Sequence, residues 1–168
     1  MNLSCIKLLI VDVDGVLTDG GLFMDGESET IKRFHVQDGA AMKLAQQCEL
    51  TLAVISGRSS PALQLRLKEL GINCVRSGVE NKLDALEQVL RECDCQRAEA
   101  AYIGDDLPDL APMGRCGFPV AVANAVPSVK RIARYVTRRH GGHGAVAEVI
   151  EYLLRVQRWW QTDRLTHG

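Results

Sequence analysis

The feature that most constrains the fold is an apolar run, residues 6–13, that ends in closely spaced carboxylates. Its Ile, Leu and Val content predicts a strand buried on both faces, as in a parallel sheet. Asp12 and Asp14 lie at the carboxyl end of this strand, and Gly15 allows the backbone to turn directly after them. Residues two apart on a strand point the same way, so these carboxylates would repel each other unless a cation lay between them. The sequence therefore predicts a hard divalent ion here, most simply Mg²⁺.

A second acidic cluster follows another apolar segment, residues 100–103. It contains Asp105, Asp106 and Asp109. Each cluster alone is also typical of a polar turn, because Asp and Gly are common turn residues. Two such clusters at strand ends, far apart in the sequence, instead favour one shared ion site.

Composition and charge limit the class of protein. The chain has 168 residues, of which 46% are hydrophobic, enough for one domain with a sizeable core. Its formal net charge of -1 provides no general field for nucleic acid or for an anionic membrane. No segment predicts a membrane span or a signal sequence, so we expect a cytoplasmic protein. The six cysteines lack paired C-x-x-C spacing, and we interpret them as reduced core residues rather than zinc ligands.

Apolar strands alternate with amphipathic helical patterns along most of the chain. Ser60 and Pro61 predict the start of one helix, and Gly71 predicts its end. The pattern predicts an α/β fold: a single domain, residues 1–168, with a Rossmann-like, doubly wound, mostly parallel sheet flanked by helices. Later strands are expected at residues 51–56, 74–77, 100–103 and 118–122, and further helices around residues 83–90 and 146–154.

Residues 21–36 interrupt this alternation and read as a β-hairpin inserted after the first strand. Asp25 and Gly26 supply the turn signal between two arms, residues 22–24 and 30–36. A hairpin at this point leaves no room for a large inserted lid, so a capless domain is expected. The last segment, residues 155–168 with Trp159 and Trp160, matches no motif with a known chemical role.

The residue types at the strand ends suit phosphate-ester hydrolysis. Asp12 is placed to attack phosphorus and form an acyl phosphate, and Asp14 to exchange protons with the leaving group and with water. A transferred phosphoryl group also needs positive charge and fixed donors around its oxygens. Ser56 and Gly57, at the end of a predicted strand, offer a hydroxyl and backbone N–H groups, and Lys82, at the start of a predicted helix, offers an ammonium group.

In order and spacing these segments resemble the four motifs of the haloacid dehalogenase superfamily of phosphatases. The resemblance implies Mg²⁺ held by Asp12, by the backbone carbonyl of Asp14 and by Asp105. It also implies that Asp106 and Asp109 support the ion. The matching segments are Asp12-x-Asp14-Gly15-x-x-Thr18-Asp19, Ser56-Gly57-Arg58, Lys82 and Gly104-Asp105-Asp106-x-x-Asp109.

More narrowly, the hairpin, the compact length and the segment from Tyr135 to Val146 resemble the family of 3-deoxy-D-manno-octulosonate 8-phosphate phosphatases. This resemblance implies a phosphorylated sugar acid as substrate. It also implies a homotetramer whose hairpins pair into a central barrel and whose subunits share active sites. Ala147 departs from the family pattern, in which this position usually carries an arginine.

Arg58 and Arg66 are the candidates for recognising a sugar carboxylate, whose planar oxygens suit guanidinium groups. With Gly57 and Thr18 they form the expected substrate-binding set. Two alternatives remain open at this stage. One is a phosphatase of nine-carbon, sialic-acid-type 9-phosphates, in which the position of Arg58 tends to carry glutamate. The other is a phospho-aspartate switch without turnover, although the chain lacks a separate acceptor aspartate after the predicted strand at residues 51–56.

Overall fold

The computed structural model describes residues 3–24 and 29–157, and its centre is a six-stranded, fully parallel sheet. Its strands are β1 Leu8–Val11, β4 Thr51–Ser56, β5 Cys74–Ser77, β6 Ala100–Gly104, β7 Phe118–Ala121 and β8 Tyr135–Val136, and a separate hairpin contains β2 Phe23–Met24 and β3 Glu29–Ile31. In the order β5-β4-β1-β6-β7-β8 the chain adds strands first on one side of β1 and then on the other, as in doubly wound folds. The helices are α1 Val36–Gln47, α2 Pro61–Leu70, α3 Lys82–Glu92, α4 Leu110–Met113, α5 Pro127–Ile132 and α6 Ala145–Val156.

Strand β1 lies at the centre of the core, paired with β4 on one side and β6 on the other. All four of its residues are completely buried, which is why the segment is apolar without alternation. Burying each Leu, Ile or Val side chain contributes roughly 1.5–3 kcal/mol. This burial anchors the strand from whose end the first acidic motif emerges.

The first strand is shorter than residues 6–13, because it ends at Val11. Val13–Leu17 forms a wide turn in which the Thr18 N–H donates to the Val13 carbonyl at 2.9 Å. Gly15 has φ +93° at the centre of this turn, a conformation that favours glycine. The strand geometry expected for Asp12 and Asp14 is therefore wrong, and the two side chains need not point the same way.

The helix boundaries follow local signals. The Ser60 hydroxyl accepts from the Leu63 N–H at 3.3 Å, and Gly71 ends α2 in the left-handed conformation. The Asn81 side chain accepts from two N–H groups in the first turn of α3 and so fixes the start of the helix that begins with Lys82. Within the described residues no helix has the length and apolar character needed to cross a bilayer.

The hairpin is present, with Phe23 paired to Ile31, but it is shorter than residues 21–36. Val36 starts α1 instead of ending the second arm, so the prediction placed a strand where a helix begins. The expected turn residues Asp25 and Gly26 lie outside the described residues, as do Trp159 and Trp160.

All six cysteines are free thiols, as interpreted from the sequence. Cys74 and Cys116 are buried, and the other four are half-buried. Of these four, Cys48, Cys93 and Cys95 pack against the core, which agrees with the expectation that most of the cysteines belong to it.

Candidate active site

The carboxyl ends of three adjacent strands, β4, β1 and β6, meet at one edge of the sheet and open into a cleft of about 290 Å³. This is the edge at which open α/β sheets bind ligands. The cleft brings together most residues singled out in the sequence. Its lining comprises Asp12, Asp14, Ser56, Gly57, Arg58, Val79, Glu80, Lys82, Asp105, Asp106, Pro108 and Asp109.

Three carboxylates form an acidic cluster: Asp12, Asp105 and Asp109 each place one oxygen within 4.8 Å of the others. Asp12 follows β1 and Asp105 follows β6, so the pairing of β1 with β6 brings them together. Asp109 is completely buried, and its Oδ2 accepts from the backbone N–H groups of Asp105 at 3.1 Å and Asp106 at 3.3 Å. Asp109 thus fixes the loop that carries Asp105.

Lys82 lies between two of these carboxylates. Its Nζ donates to Asp12 Oδ1 at 2.7 Å and to Asp109 Oδ1 at 2.8 Å. Burial acts to lower the pKa of Lys82, but the carboxylates of Asp12 and Asp109 outweigh it and raise the pKa. The ammonium group therefore stays charged and provides the positive charge that a phosphoryl group in the cleft would need.

The acidic cluster carries more negative charge than Lys82 neutralises. Burial, and then the nearby Asp109 carboxylate, raise the pKa of Asp12 well above its ordinary value despite Lys82. The same two causes raise the pKa of Asp105 to about 6. A cation bound among these oxygens would favour their charged forms.

The residues present fit a hard divalent ion such as Mg²⁺. Asp105 Oδ1 is buried and makes no hydrogen bond within the described residues, although a buried carboxylate oxygen normally has a partner. All the acidic ligand atoms are oxygens, which Mg²⁺ prefers. The absence of a side chain at Gly15 leaves room for the Asp105 carboxylate, because a β carbon on Gly15 would stand 2.1 Å from Asp105 Oδ2.

Asp14 lines the cleft but is not part of the three-carboxylate cluster found among the described residues. Its carboxylate forms an ion pair with Lys32. The prediction that the side chains of Asp12 and Asp14 flank one ion is therefore wrong, because the chain turns after Val11 and Lys32 attracts the second carboxylate. Ligation by the Asp14 carbonyl, which the resemblance implies, stays a prediction.

Ser56, Gly57 and Arg58 form the opposite wall of the cleft. Ser56 is buried, and its Oγ accepts from the Arg58 N–H at 3.2 Å. This bond turns the chain sharply after β4 and brings the exposed Gly57 and Arg58 to the rim. The hydroxyl proton of Ser56 is still available as a donor.

Thr18 and Arg66, both expected at the substrate, lie outside this cleft lining. The buried Thr18 hydroxyl donates to the Val13 carbonyl at 3.3 Å and accepts from the Gly20 N–H at 3.2 Å, so it holds the loop together. Arg66 donates to Glu69 and covers the Phe34 ring at 5.9 Å.

In the single chain Arg58 lines this cleft, whereas Arg66 lines a separate cavity beside Phe34 and Asp38. Arg58 lies before Pro61, where α2 begins, whereas Arg66 belongs to that helix. Recognition of one sugar carboxylate by both arginines stays a prediction. Whether Arg66 contacts a substrate in an assembly stays a prediction.

Sequence reasoning missed two residues that contact the predicted acids. Tyr102 is completely buried on β6, and its hydroxyl donates to Asp109 Oδ1 at 2.9 Å. Lys32 directly follows the hairpin strand β3 and pairs with Asp14. The strand periodicity of β6 does not distinguish Tyr102 from a core aromatic, and nothing local to Lys32 indicates its partner.

Comparison with known proteins gives consistent matches over almost the whole chain. Residues 75–150 match the family model of haloacid dehalogenase-like hydrolases. The 3-deoxy-D-manno-octulosonate 8-phosphate phosphatase of Haemophilus influenzae is 41% identical over 156 residues, which cover 93% of this chain and 87% of that protein.

Two solved structures have closely similar folds. The cobalt-bound Haemophilus influenzae phosphatase superposes with a TM-score of 0.94 at 39% identity, covering 98% of both chains. The Moraxella catarrhalis phosphatase superposes with a TM-score of 0.93 at 38% identity, covering 99% of this chain and 96% of the other. That crystal contained a magnesium ion, a phosphate ion and the 3-deoxy sugar acid.

Proposed function

The chain belongs to the 3-deoxy-D-manno-octulosonate 8-phosphate phosphatase family of haloacid dehalogenase-like hydrolases, and we propose that it hydrolyses this phosphosugar in a Mg²⁺-dependent reaction. The products are the free sugar acid and phosphate. The observation that carries the proposal is the cleft itself. Its acidic cluster, Lys82 and the Ser56–Arg58 turn together offer ion ligands, a phosphate-binding cation and hydrogen-bond donors in one place.

In the proposed reaction Asp12 and Asp14 act in two steps. Asp12 attacks phosphorus through a carboxylate oxygen while the bond from phosphorus to the sugar oxygen breaks. Asp14 donates a proton to the leaving sugar oxygen, whose alkoxide would otherwise be a poor leaving group. In the second step the Asp14 carboxylate accepts a proton from water, the water oxygen attacks phosphorus, and the phosphate–Asp12 bond breaks.

Other groups of the cleft hold the phosphoryl group. Lys82 donates to Asp12 and limits repulsion between the nucleophile and the anionic phosphate. The Ser56 hydroxyl and the Gly57 N–H are donors for the phosphoryl oxygens. Asp12, Asp105 and the Asp14 carbonyl would hold Mg²⁺, with Asp106 and Asp109 in support. When bound, the ion neutralises charge on the phosphoryl oxygens.

We assign Arg58 to the sugar carboxylate. It lies on the rim of the cleft, one residue beyond the phosphate-binding Gly57. From there a guanidinium group reaches groups of the sugar distant from the reacting phosphate and offers two parallel donors to a carboxylate. Glutamate at this position would instead repel a carboxylate at the same place.

We propose a homotetramer in which neighbouring subunits complete each cleft. Exposed apolar side chains are concentrated at the hairpin, where Phe23, Met24 and Ile31 are each 56–59% exposed. A two-stranded hairpin is marginal by itself, and its open edges favour pairing with copies of the same strands. A barrel of four hairpins would bury these side chains and remove the edges.

The product, 3-deoxy-D-manno-octulosonate, assigns the enzyme to lipopolysaccharide precursor synthesis. We place this step in the cytoplasm, where the six free thiols would stay reduced.

The deciding experiment is a phosphate-release screen of the purified enzyme. We expect the highest kcat/KM for 3-deoxy-D-manno-octulosonate 8-phosphate in the presence of Mg²⁺, well above that for p-nitrophenyl phosphate. A preference for a nine-carbon, sialic-acid-type 9-phosphate would contradict the proposed substrate. Retention of one phosphate per chain without turnover would indicate a switch module instead of an enzyme.

A further inference from the structure

Lys32 brings a buried positive charge to the catalytic cleft from an element outside the sheet. It directly follows hairpin strand β3, and its side chain is only 2% exposed. Its ammonium group pairs with the Asp14 carboxylate, which is 22% exposed. Removing an ammonium group from water is costly unless a counter-charge and hydrogen bonds compensate. The pair is therefore a fixed feature of the folded chain rather than a mobile surface contact.

The next residue, Arg33, reinforces this arrangement. It donates to Asp19 Oδ2 at 2.9 Å and to the Gly142 carbonyl at 3.3 Å. Consecutive cations at the base of the hairpin thus contact Asp14 and Asp19, near the two ends of the loop that follows β1. The position of this loop is consequently tied to the position of the hairpin.

The two aspartates of this loop have different cationic partners. Asp12 pairs with Lys82 and lies in the acidic cluster with Asp105. Asp14 pairs with Lys32, and its carboxylate does not join that cluster within the described part of the chain. Two carboxylates only two residues apart are thereby held in separate environments, as different tasks in one reaction require.

We propose that Lys32 is a positioning residue that holds the Asp14 carboxylate where it meets the leaving oxygen of the substrate. The inference rests on the proposed function, in which Asp14 gives a proton to that oxygen and later takes one from water. In this proposal Lys32 acts through its ion pair with Asp14 and not by binding the phosphate or the sugar. Because it follows β3 directly, the hairpin sets the geometry of proton transfer as well as forming the proposed subunit contact.

The leaving group provides the test. An alkoxide needs a proton as it departs, whereas p-nitrophenolate does not. Replacing Lys32 by Met keeps most of the length of the side chain and removes the charge. With the sugar phosphate, we expect kcat to fall at least about tenfold with little change in KM. This fall is smaller than the rate enhancement that general acid–base catalysis usually provides. The pre-steady-state burst of p-nitrophenol from p-nitrophenyl phosphate should change less than about threefold, because formation of the phospho-enzyme then needs no acid.

Lys7→Met is the matched control, because Lys7 also pairs with a carboxylate, Glu99, but is 69% exposed and far from the cleft. It should retain wild-type kinetics on both substrates. Lys32→Arg should recover part of the lost kcat, since it restores the charge. Thermal unfolding checks that each variant is folded. If Lys32→Met does not fold, Lys32→Gln is used to compare the two substrates instead.

Two further measurements distinguish positioning of Asp14 by Lys32 from a merely structural role of Lys32. In an Asp14→Asn background, Lys32→Met should lower the residual rate by less than about twofold, because coupled residues are not additive. Calorimetric titration with Mg²⁺ should give the same affinity for Lys32→Met as for wild type. Equal losses on both substrates, additive losses in the double variant, or a matching loss of Mg²⁺ affinity would each overturn the proposal.

Failure of the proposed function would give a different result. Wild-type enzyme would then fail to turn over the eight-carbon sugar phosphate. The coupling between Lys32 and Asp14 is in that case measured with the best alkyl phosphate found in the screen.

Discussion

Gly15 and Asp105 approach each other so closely that a β carbon on Gly15 would stand 2.1 Å from Asp105 Oδ2 and 2.6 Å from its Cγ. Gly15 belongs to the loop after β1, and Asp105 to the loop after β6. The absence of a side chain at Gly15 therefore lets two acidic segments, some 90 residues apart in the sequence, share one cluster.

Gly15→Ala should displace Asp105 and weaken Mg²⁺ binding at least about tenfold, with a similar loss of kcat/KM. The clash involves a proposed ion ligand, whose precise position determines affinity. Gly20→Ala is the control, because Gly20 also has a positive φ of 82° but its β carbon would meet nothing closer than 3.6 Å. Both variants should lose roughly 1–2 kcal/mol of stability from backbone strain. If calorimetry gives the same Mg²⁺ affinity for Gly15→Ala and Gly20→Ala, the close contact between Gly15 and Asp105 does not determine ion binding.

Substitution of Asp12 and substitution of Asp14 should affect the reaction in different ways. Asp12→Asn removes the nucleophile and should abolish turnover. Asp14→Asn should lower kcat by about a hundredfold or more, and a phospho-enzyme should accumulate with p-nitrophenyl phosphate, since its hydrolysis then lacks a base. Intact-protein mass spectrometry at acid pH detects the added phosphate. Removing Mg²⁺ with a chelator should stop turnover of wild type, and adding Mg²⁺ should restore it. Near-normal turnover by Asp12→Asn would refute the mechanism.

The parts of this site that the sequence predicts depend on short-range signals. Ser60 and Gly71 mark the ends of α2 because capping acts within one turn. The acidic motifs are recognisable because each directly follows an apolar strand, and parallel strands bring their carboxyl ends to the same edge. These rules predict the location of the site without any knowledge of side-chain partners.

What the sequence does not reveal depends on contacts between distant segments. Lys32 meets Asp14 only because the hairpin folds back over the loop after β1. Helix α1 was missed because its first turns contain Asp38 and Gly39, which weaken a helical pattern. The structure explains why residue 39 is a glycine: a β carbon at this position would stand 2.1 Å from Arg66 Nη2. The Asp38 carboxylate in turn accepts from the Ala147 N–H at 2.7 Å, near the start of α6.

Arg58→Ala should lower kcat/KM for the eight-carbon sugar acid phosphate about tenfold to a hundredfold more than for p-nitrophenyl phosphate. This corresponds to roughly 1.5–3 kcal/mol, the typical worth of a hydrogen bond to a charged group. Only the sugar acid has a carboxylate for the guanidinium to bind. Arg97→Ala, which removes an arginine paired with Glu87 outside the cleft lining, should leave both substrates unaffected. Equal losses on the two substrates would assign Arg58 to structural support.

Glu148 links α6 to the segment that begins with β8, and its effect on stability should depend on pH. Its carboxylate accepts from the Arg138 and Arg139 N–H groups, both at 2.9 Å, and from the Tyr135 hydroxyl at 2.7 Å. Partial burial opposes ionisation, but the hydrogen bonds, first those from the Arg138 N–H, outweigh it and lower the pKa of Glu148 below 4.5.

Since the folded-state pKa lies below the unfolded one, this stabilisation is present above pH 4.5 and is lost as the pH falls through the folded-state value. Glu148→Gln should therefore lower stability at pH 7 by on the order of 1 kcal/mol, allowing for solvent screening, and the difference should shrink in acid, as the pH falls below 4.5 and through the folded-state pKa. Glu151→Gln on the same helix breaks a surface pair with Arg155 and should have little effect at either pH. Urea titrations at both pH values measure the difference, and a constant difference would exclude the carboxylate as its source.

The final prediction concerns assembly. The paired hairpin residues Phe23 and Ile31 are 56% and 59% exposed in the single chain, and burial of each in a tetramer would contribute roughly 1.5–3 kcal/mol per copy. Light scattering should give a mass of four times 18.5 kDa for the wild type. Phe23→Asp and Ile31→Asp should give smaller species, because a charge would be buried at a hydrophobic contact.

Leu65→Asp is the control for the loss of an exposed apolar side chain. Leu65 is 72% exposed and belongs to α2 instead of the hairpin, and this variant should stay tetrameric and active. If neighbouring subunits complete the cleft, activity should fall together with assembly in Phe23→Asp, and raising the protein concentration should restore part of both by mass action. A variant that is monomeric at assay concentration yet fully active would refute the shared site, because each cleft would then be complete within one chain.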